Sequence, residues 1–214
     1  MSSVVKKPIR QNIPRKSVYR LSVYLRCLNR LKSNLLQTVS SEALAHAAGV
    51  KSTQLRKDLT YLGQIGTRGR GYDVDQLSAL INETLGTNSL QPVVLIGVGN
   101  LGAALLRYRG FGEEGFRIVA AFDLQAGEGR FAGLPVAVHP MSKLAPMIIE
   151  HSVRMAILTV PAAVAQEVAN QVVAAGITGI LNFAPLVLTV PEEVMVNNVN
   201  LAIELENLSY FIQE

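Results

Sequence analysis

The run Gly97-Val98-Gly99-Asn100-Leu101-Gly102 has the GxGxxG spacing with which a backbone can wrap a pyrophosphate. Gly97 is expected to make the tight turn, Gly99 to let phosphates approach the main chain, and Gly102 to let a helix pack closely on a strand. Asn100 and Leu101 lie within the motif as further cofactor-binding candidates, and Ala103 to Arg107 begin a helix after it, whose first N–H groups and dipole attract anions. Asp123 stands 21 residues beyond Gly102, near the spacing of a carboxylate that accepts from adenosine ribose hydroxyls. It favours NAD over NADP, because a 2′-phosphate would meet a like charge. Thr159, Pro161, Asn182 and Phe183 follow two short apolar runs. They are candidates for the rest of a dinucleotide pocket, since ligands bind outside the carboxyl ends of parallel strands.

A second set of side chains suits nucleic acid. Ser52, Thr53, Gln54, Arg56, Lys57 and Thr60 combine hydroxyls, an amide and cations on one short helical pattern, a mixture able to meet phosphates and base edges in a major groove. Arg68 and Arg70 lie in the glycine-rich segment 63–72, whose composition suits a small wing carrying cations to a DNA backbone or minor groove. A nucleotide phosphate loop is the rival reading, but the segment lacks the Gly-Lys-Ser/Thr ending. A plain hairpin connection also fits.

The elements around these residues follow from periodicity. From Ser17, the positions Val18, Leu21, Leu25, Leu28 and Leu31 recur at threes and fours, predicting a helix with one buried stripe. Ser40 is expected to cap a second helix over 41–48, and Ser52 a third over 53–62 with Leu55, Leu59 and Leu62 inward. A linking helix is expected over 74–85. The apolar run 93–96 predicts a buried strand directly before the glycine motif, which gives that motif its proper context. Strands are then expected at 116–122, 136–138, 155–159 and from 179, with helices at 141–151 and 162–175. This βα alternation predicts a doubly wound parallel sheet. Leu201, Leu205, Leu208 and Ile212 give a terminal helix one apolar face, which could cover its own sheet or a partner.

The net charge of +4 over 214 residues is an average of two unlike halves. Residues 1–75 hold 14 Lys/Arg against 4 Asp/Glu, net +10, and residues 76–214 hold 6 against 12, net −6. Such segregation creates a field able to attract polyanions. The organisation expected is a basic tail over 1–14, a winged-helix domain with its linker over 15–85, a Rossmann-like domain over 86–197 and a dimerisation helix over 198–214. One cysteine, Cys27, excludes an internal disulfide framework or a cysteine-cluster metal site, and the three histidines 46, 139 and 151 argue against a His-rich one. Cys27 lies beside cations able to lower its pKa, yet reads as a packing residue. Neither an apolar run of spanning length nor a secretory pattern is present, so a soluble, cytoplasmic protein without a membrane partner is expected.

The chain resembles the Rex family of bacterial redox-sensing transcriptional repressors. The likeness rests on Leu55-Arg56-Lys57-Asp58-Leu59 with Gly69-Arg70-Gly71-Tyr72, the run 97–106, Tyr108 with Gly110-Phe111-Gly112, Leu158-Thr159-Val160-Pro161, the run 179–185 and the run 204–211. It implies a homodimer of winged helices and Rossmann cores that exchanges its C-terminal helices. NADH and NAD+ would compete for one site, and NADH would disfavour the form bound to a palindromic double-stranded operator. By the same resemblance Gln54, Arg56, Lys57, Arg68 and Arg70 would meet DNA, and Phe111 would belong to the loop near the dinucleotide. An acidic residue where this chain has Asn200, the arginine matching Arg26 and the tyrosine matching Tyr108 would form a state-dependent network. Asn200 cannot offer Arg26 a charge-assisted bidentate contact. Two other readings stay open on residues alone: an NAD-dependent dehydrogenase, for which no histidine constellation or substrate domain is evident, and a nucleotide-dependent oligomerisation module.

Overall fold

Helix α1 (Arg15–Ser33) is entered through Pro14, whose φ of −57° suits a helix start. The computed structural model describes residues 13–63, 65, 66, 71–127 and 131–212, and they fall into two compact units, Met1–Ser89 and Leu90–Glu214. Along α1, Ser17, Leu21, Tyr24, Leu25 and Leu28 are buried. The expected stripe is thus rotated by part of a turn: Val18 is exposed and Ser17 takes the inner side, where it meets a polar cluster described below. Helix α2 (Ser41–Ala47) is capped as expected, with the Ser40 hydroxyl accepting from the Ala43 N–H at 3.1 Å. Helix α3 (Ser52–Leu59) corrects one expectation. Its N-cap is Lys51, and Ser52 is already helical, so its hydroxyl faces the next turn and accepts from Arg56 at 3.4 Å. The chain then tightens into a 3-10 turn over Thr60–Leu62, which leaves Leu62 half-buried.

Strands β1 (Thr38–Val39) and β2 (Tyr72–Asp73) pair antiparallel, Thr38 opposite Asp73 and Val39 opposite Tyr72. This pairing brings the chain before α2 beside the start of α4, with α2, α3 and the 3-10 turn lying between the two strands in sequence. Gly71 is required there: its φ is +77°, and a Cβ would strike the Val39 carbonyl oxygen. Helix α4 (Val74–Leu85) starts where Asp73 accepts from the Gln76 N–H at 2.8 Å and stops at Gly86 in the left-handed region. Leu21, Leu28, Leu44, Leu55, Leu77 and Ile81 join in the core of this unit.

The second unit alternates strand and helix. Its elements are β3 (Gln91–Ile96), α5 (Asn100–Arg107), α6 (Gly110–Glu113), β4 (Phe116–Phe122), β5 (Val138–His139), α7 (Leu144–Glu150), β6 (Met155–Leu158), α8 (Ala162–Ala174), β7 (Gly179–Asn182), β8 (Met195–Asn198) and α9 (Leu201–Phe211). The six strands are parallel in the order β5-β4-β3-β6-β7-β8. The unit's first strand is therefore central, and the winding reverses between β3 and β6, the point at which open α/β sheets bind ligands. Alternation along β3 supplies two cores. Val94 and Ile96 pack with Leu144, Ala165 and Val172, while Val93 and Leu95 pack with Leu106 and Ile157.

Three expectations shift in this unit. The strand placed at 136–138 is Val138–His139. The helix placed at 141–151 is a 3-10 turn, Met141–Lys143, followed by α7, whose first turn accommodates Pro146 because no intrahelical N–H is needed there. Strand β8 was not anticipated, and its residues are mostly exposed at the sheet edge. Helix α9 buries none of its residues. Leu201, Leu205 and Leu208 are 66%, 66% and 60% exposed, so this helix does not cover its own sheet. No helix among the described residues is long and apolar enough to cross a membrane.

Candidate functional site

Strand β3 delivers the glycine loop to the switch point of the sheet, and two side chains hold it there. The Asp123 carboxylate, at the end of β4, accepts from the Val98 N–H at 2.7 Å and from the Gln125 N–H at 2.9 Å. The Thr159 hydroxyl, at the end of β6, donates to the Gly97 carbonyl at 2.6 Å and lies 3.2 Å from that of Ile96. A carboxylate has about four acceptor directions, so Asp123 keeps capacity for ribose hydroxyls after supporting the loop.

The three glycines divide by what surrounds them. A Cβ on Gly97, whose φ is +94°, would come within 2.7 Å of Val160 Cγ1 and 2.8 Å of the Thr159 carbonyl. A Cβ on Gly102 would strike the Gly97 carbonyl oxygen. Both are demanded by the protein's own packing. A Cβ on Gly99 would meet nothing within 4 Å. Gly99 is the N-cap of α5, and among the described residues no side chain caps that end. Gly99, Asn100 and Leu101 are exposed at that end, where the first N–H groups of a helix have no intrahelical partner. A pyrophosphate lying across this cradle would find donors and no Cβ in its way, so the residues fit a dinucleotide.

The remaining candidates take different positions. Pro161 is the exposed N-cap of α8, and Thr159 is turned into the glycine loop. Asn182 is fully buried. Its amide nitrogen donates toward the Ala184 and Leu186 carbonyls and Asn198 Oδ1, and its oxygen accepts from the Ala184 N–H. It shapes the loop after β7, where Phe183 is half-buried against the core of β3 and β4. Phe111 meets Tyr108 edge-on, their ring centroids 5.1 Å apart. The Tyr108 ring in turn lies where a Cβ on Gly110 would be, so the glycine there admits the aromatic pair. Asn200 caps α9, accepting from the Ala202 and Ile203 N–H groups at 3.0 and 3.4 Å. Arg26 is exposed on α1.

On α3, Thr53, Arg56 and Lys57 are exposed and Ser52 and Gln54 half-buried. Arg56 reaches Glu42 on α2 at 3.4 Å, a pair exposed on both sides that costs little to break. The Thr60 hydroxyl donates to the Lys57 carbonyl at 2.6 Å. Arg68 and Arg70 lie outside the described residues, as do residues 1–12 of the basic tail.

Behind this face sits a group that sequence reasoning missed. Asp58 is fully buried and takes two hydrogen bonds from Arg20, Nε to Oδ2 at 2.6 Å and Nη2 to Oδ1 at 2.7 Å. Tyr24 donates to Oδ2 at 2.8 Å and Gln54 to Oδ1 at 3.1 Å. Burial pushes the Asp58 carboxyl up, but bonds from Arg20, Tyr24, Ser17 and Gln54 outweigh it and hold it below the ordinary value. Burial and then Asp58 raise the Tyr24 phenol, and the hydrogen bond to Asp58 raises Arg20. A signal for this cluster existed, since Asp58 falls on the Leu55–Leu59–Leu62 stripe, where a charge needs a partner. Cys27 agrees with its reading as a packing residue: burial raises its thiol pKa more than Arg30 lowers it. Among the described residues, no three His, Cys, Asp or Glu side chains gather for a metal.

Comparisons with known proteins place these units in context. Residues 12–60 match a family model described as a putative DNA-binding protein N-terminus, and residues 88–186 one described as a CoA binding domain. A redox-sensing transcriptional repressor Rex from Streptomyces coelicolor is 48% identical over 206 residues, covering 95% of this chain and 79% of the relative. The protein of that description from Pelotomaculum thermopropionicum is 46% identical, covering 92% and 93%. Among solved structures, RSP, a Rex-family repressor, in complex with β-NAD+ and operator DNA is similar with a TM-score of 0.85 at 33% identity, covering 94% of this chain and 93% of that one. Its complex with β-NADH gives 0.82 at 31% identity, covering 94% and 95%.

Proposed function

The chain belongs to the Rex family of redox-sensing transcriptional repressors, and we propose on that premise that it is a cytoplasmic sensor of the NADH/NAD+ ratio that represses transcription from a palindromic operator. Gly97, Gly99, Asn100, Leu101, Gly102 and Asp123 would hold the adenosine diphosphate half of NADH or NAD+. Phe111, Thr159, Pro161, Asn182 and Phe183 would shape the nicotinamide side. Ser52, Thr53, Gln54, Arg56, Lys57 and Thr60 would meet a major groove, with Arg68 and Arg70 in the wing. Arg26, Tyr108 and Asn200 would carry the change of state.

The active form is a homodimer, because a palindrome presents two equivalent half-sites. The apolar face of α9, exposed along its length, is what a partner would cover, most economically by exchange of that helix between subunits. Signalling is a population shift. NADH lowers operator affinity only to the extent that it binds the two states unequally, and linkage then requires operator DNA to weaken NADH binding equally.

The observation that carries this reading is the conjunction, in one chain, of a cationic face on α3 with a glycine cradle backed by Asp123. Operator affinity measured at fixed salt with saturating NADH or saturating NAD+ tests it. NADH is expected to weaken binding, and equal affinities would overturn the sensor. The CoA description favours a second ligand of the same adenosine diphosphate class. A 3′-phosphate beside Asp123 would meet a like charge, and competition of CoA against NADH separates the two.

A further inference from the structure

We propose that Asp58, clamped by Arg20 and Tyr24, is a positioning residue that sets the sense of the Gln54 side-chain amide, and that Gln54 thereby reads one adenine in each operator half-site. The inference rests on the DNA-binding reading above and adds a base to it.

An ionised carboxylate only accepts hydrogen bonds. Asp58 is kept ionised by the bidentate Arg20 contact, with its pKa held down. The group facing it from Gln54, 3.1 Å away and four residues earlier on α3, must therefore be the amide nitrogen. The usual ambiguity between amide oxygen and nitrogen is absent here on chemical grounds. Arg20, Tyr24 and Gln54 fill the four acceptor directions of Asp58, so the carboxylate cannot rotate without breaking several bonds at once.

The amide is left with its oxygen and its second N–H, an acceptor and a donor side by side. In the major groove only adenine offers the complementary pair, the N6 donor beside the N7 acceptor. Gln54 occupies the third position of an eight-residue helix that starts at Ser52, and recognition helices meet base edges with their N-terminal residues. Arg56 and Lys57, also on α3, are fit to clamp phosphates, which orient the helix without reading sequence. A free Gln would lose rotamer entropy on binding and could present either sense of its amide. This one has already lost both freedoms to Asp58.

The test selects half-sites from a randomised palindromic library with the full-length protein and NAD+ at fixed salt. Wild type should retain adenine at one position of each half-site. Replacing that adenine by 7-deazaadenine should weaken binding by roughly 5- to 150-fold. Gln54→Ala, which leaves the Arg20–Asp58 pair in place, should flatten selection at that position alone, with the salt slope and NADH titration unchanged. Asp58→Asn can donate as well as accept, so it should blur the same position while Gln54 is still present. Because it strips Arg20 of its partner, the double variant Arg20→Met/Asp58→Asn is read beside it. An unchanged preference in Gln54→Ala, adenine selection as sharp as wild type in both Asp58→Asn and the double variant, or indifference to 7-deazaadenine at every adenine, would overturn the proposal. Recovery of no palindrome by wild type would instead overturn the repressor reading itself.

Discussion

Arg20 and Asp58, 38 positions apart in sequence, meet through two hydrogen bonds of 2.6 and 2.7 Å that fasten α3 to α1. The Asp58 side chain is 1% exposed and that of Arg20 is 23%, so the pair is too sheltered to be dismissed as a surface contact. Asp58→Ala should destabilise the first unit by about 3–5 kcal/mol, because an unpaired Arg20 charge remains. Adding Arg20→Met should recover part of that loss, since both charges then leave together. Urea unfolding of the single and double variants measures both.

The pH dependence has a definite sign. The folded Asp58 value lies below the ordinary 3.8, so this group stabilises the folded state above its unfolded value. That contribution fades as pH falls through the folded value. Wild type should lose stability on acidification below about pH 4, and Asp58→Asn should show a shallower acid limb. Thermal midpoints across an acid series give the comparison.

Gly99 and Gly102 should separate binding from folding. Gly102→Ala forces a Cβ onto the Gly97 carbonyl and should cost about 1–3 kcal/mol. Gly99→Val adds atoms where the protein has none within 4 Å of the Cβ, so its stability should stay within about 0.5 kcal/mol of wild type. Its NADH affinity should nonetheless fall at least about tenfold, because the side chain occupies the pyrophosphate's approach. Thermal unfolding and NADH fluorescence titration read the two effects.

Arg56→Ala/Lys57→Ala should weaken operator binding while NADH binding persists. If each cation neutralises one phosphate, the log–log salt slope should fall by about 2. Titrations at several salt concentrations decide it, and loss of NADH binding in a folded variant would contradict the division of labour.

Leu205→Glu/Leu208→Glu places two charges on the face of α9 that is 66% and 60% exposed at those positions. The single chain loses no packing by this change, so each unit should keep its fold. Sedimentation should nevertheless shift from dimer toward monomer, and affinity for a palindrome should drop more than affinity for one half-site.

Much of this was legible because the signals are local. The strand before Gly97, the glycine spacing and the carboxylate at Asp123 lie within one βαβ unit, whose order of residues dictates its geometry. What escaped depends on distance or on polarity. Asp58 reads as one more charge on a basic helix until Arg20 is brought to it across the core. Strand β8, Met-Val-Asn-Asn, carries no apolar alternation because it lies at a sheet edge. Asn182 stands where the sequence suggests an amide of the pocket, and the structure adds what sequence cannot show, that it braces the following turn and reaches Asn198. Asp58 is placed by a neighbour 38 residues away, Asn182 largely by the turn beside it, and β8 by its place at the edge of the sheet.

The glycine loop is already held in shape by Asp123 and Thr159, and this bears on how a ratio can be sensed. The two oxidation states of the dinucleotide carry identical adenosine diphosphate halves. Whatever affinity the preformed cradle provides is given to both and cancels when one displaces the other. Discrimination must then originate at the opposite end of the ligand, where a planar cation and a puckered neutral ring differ. The part of the site most readily found from sequence sets how strongly the pair is held, and says nothing about which of them wins.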